Sequence, residues 1–297
     1  MSTETHDQRF TDIDVWPTRV AVEAMLEGQL AAVASIYSQI DRIAAAAESA
    51  AARMGDQGRL VYVGAGTSGR IGVQDGVELS PTYDWPQERL VFLLAGGLSA
   101  LAASAEGAED DVEQARKGIT DAEIGASDVV IGVAASGRTN FTVAAIETAR
   151  SRGALTIGIA NNPGTALLDA AEYPILADTG SELIAGSTRM KAGTAQKVVL
   201  TLLSTSIMIR CGFVFRGLMV NMRVSNEKLA RRARSIVGEL SGASEDAARQ
   251  ALAIADNDIR KAVLVASGVD PSKAEHLLAN NHRNLRSAFS ANIRNGI

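Results

Sequence analysis

The sequence predicts an α/β protein: an open, parallel five-stranded sheet with helices on both faces. N-terminal helices and a small C-terminal three-helix domain flank it. Three observations point there. Five short apolar runs alternate with segments of helical periodicity, which is the pattern of βαβ units. Glycine- and hydroxyl-rich loops follow several of those runs. From about residue 241 the texture changes to short capped helices.

Residues 1–17 are polar, end at Trp16-Pro17, and are expected to be loosely structured. Thr18 can cap a helix, and 19–54 is alanine-rich with helical spacing, read as two helices or one broken near Gly28. Strands are expected at 59–63, 89–95, 128–134, 155–160 and 173–177. Helices are expected at 71–79, 99–105, 111–118, 139–151 and 165–170. A long apolar helix over 187–210 and a helical stretch over 218–238 follow. Ser244, then Asn257 or Asp258, then Asp270-Pro271 mark three further helix starts, the last with proline at the first helical position. The chain thus divides into N-terminal helices (1–54), a central α/β domain (55–238) and a small helical domain (239–297).

Composition narrows the function. The 297 residues are 46% hydrophobic and 21% charged, with a net charge of −5, so no general nucleic-acid or anionic-membrane surface is expected. Cys211 stands alone in an apolar pattern, which excludes a disulfide framework and reads as a core cysteine. The N-terminus lacks the apolar segment of a signal peptide, and no stretch reads as a membrane span, so a soluble cytoplasmic setting is expected. His6, His276 and His282 stand apart from other ligand types, so no metal site is expected.

The chemistry concentrates in the loops at the carboxyl ends of the strands, where open parallel sheets bind ligands. Gly64-Ala65-Gly66-Thr67-Ser68-Gly69-Arg70 follows the first strand, and Ser136-Gly137-Arg138-Thr139 follows the third. Hydroxyls, backbone N–H groups and a helix N-terminus suit a phosphate monoester. Gly64, Gly66 and Gly69 also fit the dinucleotide spacing. That reading requires a carboxylate near the end of the second strand, which instead closes Leu93-Leu94-Ala95-Gly96-Gly97. A sugar phosphate fits better than a nucleotide.

The runs GAGTSGR (64–70), ELSPTY (78–83), EGAEDD (106–111), AASGRT (134–139), NNPG (161–164), GSTRMKAGTAQK (186–197) and NEKL (226–229) carry a closer match. They resemble the N-acetylmuramic acid 6-phosphate etherase family, built on the sugar isomerase (SIS) domain and related to the glucokinase regulatory protein. The resemblance covers about residues 55–290, including a small UBA-like helical domain. It implies a cofactor-free lyase.

 

What the resemblance implies is cleavage of the ether joining D-lactate to C3 of N-acetylmuramic acid 6-phosphate, giving N-acetylglucosamine 6-phosphate and D-lactate. An unactivated ether resists direct displacement, but the C2 proton of the open-chain sugar is acidified by the C1 aldehyde. A base removes it, an acid protonates the departing lactate oxygen, and water adds to the unsaturated intermediate. Glu78 and Glu106 match the family's catalytic glutamates. Glu78, between apolar Val77 and Leu79, is assigned as the acid, its apolar setting expected to keep it protonated. Glu106, heading an acidic run, is assigned as the base. Ser68, Ser136 and Thr139, with Gly66, Thr67 and Gly137, are the expected phosphate cradle, and Ser187, Thr188 and Lys191 the second set of substrate contacts. A homodimer is implied as well, across which His276 or His282 could reach the pocket. Two other readings remain: a phosphosugar-binding regulator without turnover, and an aldose–ketose isomerase, which returns the C2 proton to C1.

Overall fold

Strands covered on both faces must be apolar at nearly every position. In the computed structural model β1 (Leu60–Gly64), β3 (Val129–Ala134) and β4 (Leu155–Ala160) are buried throughout. The edge strands β2 (Leu90–Leu94) and β5 (Tyr173–Leu176) are less covered, and Pro174 sits on an edge, where a missing N–H costs no ladder bond. The order is β2-β1-β3-β4-β5, all parallel, as the alternating pattern predicts. The structure describes residues 2–103 and 105–294, without the side chains of the last two.

Side-chain alternation assigns the two faces. Val61, Val63 and Val130 pack with Ile119 of α5 (Val112–Asp121), Phe141 and Ile146 of α6 (Asn140–Ser151) and Leu167 of α7 (Ala166–Ala170). On the other face lie α2 (Ile40–Met54) and α3 (Gly66–Val77), and the Tyr62 hydroxyl donates to Asp75 of α3 at 3.0 Å. At the end of the sheet away from the loops that concern function, Arg59, just before β1, reaches Asp128, just before β3, with Nη2 to Oδ2 at 2.8 Å.

Several elements depart from the sequence-based expectation. The N-terminus is not loose: Ser2–Glu4, Gln8–Phe10 and Ile13–Val15 form short 3-10 turns, and Thr3 is fully buried. α1 (Thr18–Ser35) has Pro17 rather than Thr18 at its N-cap, and it runs unbroken through Gly28. The glycine marks a close approach instead, since a Cβ there would meet Leu183 Cδ1 at 2.8 Å. The break falls at the 3-10 turn Ile36–Gln39. The helix expected at 99–105 reduces to a 3-10 turn, Leu98–Leu101, and Ser104 lies outside the described residues. The long helix α8 starts at Lys191, not at residue 187.

The chain forms two compact units, the first holding the chain up to Val77 and Gln87–Ile207. The second joins Glu78–Pro86, with α4 (Leu79–Tyr83), to the chain from Met208 onward. Within it the expected helix over 218–238 is replaced by a hairpin, β6 (Val214–Phe215) with β7 (Leu218–Met219), followed by α9 (Glu227–Ser241). The turn at Arg216-Gly217, both at positive φ, is what periodicity could not reveal. Ser244, Asp258 and Asp270 each cap a helix as expected: α10 (Glu245–Ile254), α11 (Ile259–Ala266) and α12 (Pro271–Ala279). A fourth helix, α13 (Leu285–Arg294), adds to the expected three, and Phe289 stacks on Phe215 at 5.8 Å.

Cys211 is half-buried just beyond α8 rather than in the core. Two helical stretches, Thr18–Met54 and Lys191–Arg210, are long and apolar enough to cross a membrane by length and composition, contrary to the expectation that none would be. In α8 core packing explains the apolarity, for Val199, Leu200 and Leu203 are fully buried. In the first stretch only 11% of the apolar 18-residue segment is buried.

Candidate active site

The crevice of this sheet opens where β1 and β3 lie side by side and their connections leave on opposite faces. Both glycine-rich loops end there. The first is tighter than the sequence suggests, because α3 begins at Gly66 and takes in Thr67, Ser68, Gly69 and Arg70. A Cβ on Gly64 would lie 2.8 Å from the Gly69 α-carbon, and one on Gly69 would lie 2.8 Å from the Gly64 carbonyl oxygen. Only glycines let the strand end and the first helical turn approach so closely. The first N–H groups of α3 therefore face the crevice without helical partners. Ser68 is buried and its hydroxyl has no hydrogen-bond partner among the described residues.

The second loop sits beside the first. Gly137 has φ +63°, and a Cβ there would meet Thr165 Oγ1 at 2.2 Å. Ser136 is half-buried and its Oγ accepts from the Arg138 amide at 3.1 Å. Thr139 stands at the N-cap of α6 with no capping bond from its side chain, which leaves the hydroxyl to other partners. Asn140 donates to Asp110 at 3.2 Å, joining this loop to the acidic run after Glu106.

A cavity of about 360 Å³ opens above the ends of β1 and β2. Gly66, Arg70, Ala100, Glu106 and Glu109 are among its lining residues. Glu106 is exposed at its rim. The predicted base and the start of the predicted phosphate loop thus share one opening.

Comparison with known proteins gives the family and the fold. The glucokinase regulatory protein N-terminal SIS domain matches residues 42–150, and the SIS domain matches residues 111–206. An N-acetylmuramic acid 6-phosphate etherase from Streptomyces coelicolor is 45% identical over 293 residues, covering 98% of this chain and 94% of its own. One from Deinococcus radiodurans is 44% identical over 263 residues, covering 89% and 86%. The chain belongs to the N-acetylmuramic acid 6-phosphate etherase family. Among solved structures, one assigned as a phosphosugar isomerase of capsule formation from Bacteroides fragilis superposes with a TM-score of 0.51 at 20% identity. It covers 68% of this chain and 95% of its own, a likeness of fold.

The remaining family positions fall unequally. Glu78 does not end α3; it occupies the N-cap of α4. The apolar enclosure expected around it is absent in this chain, because Glu78 is exposed and Val77 is 47% exposed, while only Leu79 turns inward. The i±1 neighbours of a helical residue point away from it, so apolar flanks do not make an apolar pocket. Ser187 and Thr188 lie in the turns leading to α8, half-buried. Gly193, in the first turn of α8, packs near Thr67, a Cβ there lying 3.6 Å from Thr67 Cγ2. That contact brings the GSTRMKAGTAQK and GAGTSGR segments together.

The N-terminus of α8 is already occupied by the protein itself. Buried Glu182 accepts from the Lys191 amide (2.9 Å) and the Ala192 amide (2.9 Å), so the Lys191 backbone is spent. Asn161 and Asn162 form the other buried scaffold. Asn161 donates to the Ala177 carbonyl and accepts from Gln196, while Asn162 donates to the Ala135 carbonyl and to Thr3 Oγ1. Sequence reasoning missed Glu182, Thr3 and this asparagine pair as supports. An asparagine pair directly after an apolar strand was the available signal. His276 and His282 are both exposed on the second unit, and among the described residues no three His, Cys, Asp or Glu gather in a metal-ligand cluster.

Proposed function

We propose that the chain cleaves the lactyl ether of N-acetylmuramic acid 6-phosphate by elimination and hydration, with Glu106 as the base at C2 and Glu78 as the acid on the ether oxygen. The activity follows from family membership over nearly the whole chain; the chain is a carbon–oxygen lyase. The single observation that carries the assignment of roles is the cavity that joins Glu106 to the start of the phosphate loop. A 6-phosphate held by the α3 N-terminus with Ser68, Ser136 and Thr139 anchors one end of the sugar. The chain of carbons then extends toward Glu106, which is exposed and free to take a proton. Glu78 is exposed, and its assignment as the acid rests on the family match rather than on an apolar setting.

A homodimer fits the surface of α1. Val22, Leu26, Leu30 and Val33 are each 44–63% exposed, and Tyr37 beyond them 81%, at four- and three-residue spacing. That spacing is the seam of helix pairing, and no such apolar line is expected to face water. A cytoplasmic setting is part of the same reading, since a phosphorylated sugar does not cross a bilayer unaided.

Lactate release from N-acetylmuramic acid 6-phosphate tests the reading. Glu106→Gln and Glu78→Gln should each lower kcat by about 10²- to 10⁴-fold, the usual range for a positioned acid or base. In deuterated, ¹⁸O-labelled water, deuterium should enter at C2 and ¹⁸O at the C3 hydroxyl. Deuterium at C1 without lactate release indicates an isomerase, and tight phosphosugar binding without turnover indicates a regulator.

A further inference from the structure

The cavity that holds Glu106 also holds a cation to which the reaction so far gives no task. Arg70 lies in the second turn of α3 and is half-buried. Its Nε donates to the Ala100 carbonyl at 3.0 Å. That bond fixes the guanidinium plane while leaving the two terminal nitrogens unspent. Among the described residues Arg70 makes no ion pair, although Glu106 and Glu109 line the same cavity. A preorganised guanidinium in a cavity edged by carboxylates is a receptor for an anion that those carboxylates would otherwise repel.

We propose that Arg70 binds the carboxylate of the lactyl group and so distinguishes the ether substrate from its product. The inference rests on the reading of Glu106 as the base at C2. C3 is the next carbon, and the lactyl carboxylate is separated from it only by the ether oxygen and one carbon. The 6-phosphate lies at the far end of the carbon chain. Gly66 of the phosphate loop borders the cavity too, but Arg70 is tied to Ala100 in the segment that leads to Glu106, which sets its guanidinium toward the lactyl end. Lys191, the cation in the second set of expected substrate contacts, is not among the residues lining the cavity. Arginine's fork can engage both carboxylate oxygens at once. Once the ether is cleaved, the amino-sugar product no longer carries this anion and loses the contact.

The test compares two ligands that differ in the lactyl group and share the phosphate. KM for N-acetylmuramic acid 6-phosphate and the inhibition constant of N-acetylglucosamine 6-phosphate are measured for wild type, Arg70→Gln and Arg70→Lys. Loss of a charge-assisted pair should raise KM by about 10- to 100-fold in Arg70→Gln. The product's inhibition constant should stay within about twofold, which also certifies that the variant is folded. Arg70→Lys, which keeps the charge and loses the fork, should fall between, and it serves as the test if Arg70→Gln does not fold. Parallel rises in both constants would put Arg70 on the phosphate and overturn the proposal. Unchanged constants would reduce it to a tie to Ala100 and overturn it equally. Failure of the etherase reading is separate, for it appears as absence of lactate with wild type.

Discussion

Asp75 carries a buried carboxyl group whose chemistry belongs to the scaffold. It accepts from Tyr62 on β1, and burial pushes its pKa up, opposed in part by hydrogen bonds from Ser204 and Tyr62 and by the charge of Lys197. A folded pKa above the unfolded value near 3.9 means that ionisation is costlier in the folded state. Wild-type stability relative to Asp75→Asn should therefore decline as pH rises from about 4 through the folded pKa, and level off above it. Urea midpoints of the two proteins across that range check this; a difference independent of pH would show that Asp75 does not titrate in the folded protein. Helical spacing in the sequence does not distinguish Asp75 from Glu78, three residues later. The structure separates them: one is 5% exposed on the inner side of α3, the other is open to solvent.

At the scale of elements, the N-terminal segment illustrates what local pattern conceals. Thr3 accepts from Asn162 through its hydroxyl at 2.9 Å, and its carbonyl accepts from the Gly186 amide at 3.2 Å. Ser181 donates to Asp7 at 3.1 Å. The segment is thus tied to the loops after β4 and before α8, beside the strand ends where ligands bind. Deleting residues 2–10 leaves Asn162 and Gly186 without these partners, and should lower Tm by about 3–8 °C, corresponding to roughly 2 kcal/mol. A thermal melt of the truncated protein checks it; an unchanged Tm would mean the ties contribute nothing net. The strands, by contrast, were legible because burial on both faces demands apolar runs. The capping residues Ser244, Asp258 and Asp270 were legible because a cap is a local hydrogen bond. The β6–β7 hairpin was not, because its pairing rests on two residues per strand and a turn at positive φ.

For the molecule as a whole, the exposed apolar line from Val22 on α1 to Tyr37 in the turn after it is the surface that the proposed dimer would use. Leu26→Glu with Leu30→Glu should convert a dimer into monomer, since paired charges in an apolar seam cost several kcal/mol. Light scattering after size-exclusion chromatography reads the mass directly. A wild-type monomer, or a dimer indifferent to both substitutions, would remove α1 from the interface. If the dimer completes the environment of Glu78, lactate release should fall with the mass. Folding measured by circular dichroism separates this from simple unfolding.

The amino-acid sequence by itself determined the parallel sheet, the phosphate-type loops after β1 and β3, and the family, because each depends on residue types at short spacing. It also excluded a dinucleotide through the missing carboxylate after β2. Tertiary structure alone decided that Glu182 fills the α8 N-terminus, that Thr3 closes against Asn162, and that Arg70 shares a cavity with Glu106. These are contacts between positions far apart in the chain. No local pattern encodes them, since burial and hydrogen-bond partners exist only once the strands have brought their loops to one edge.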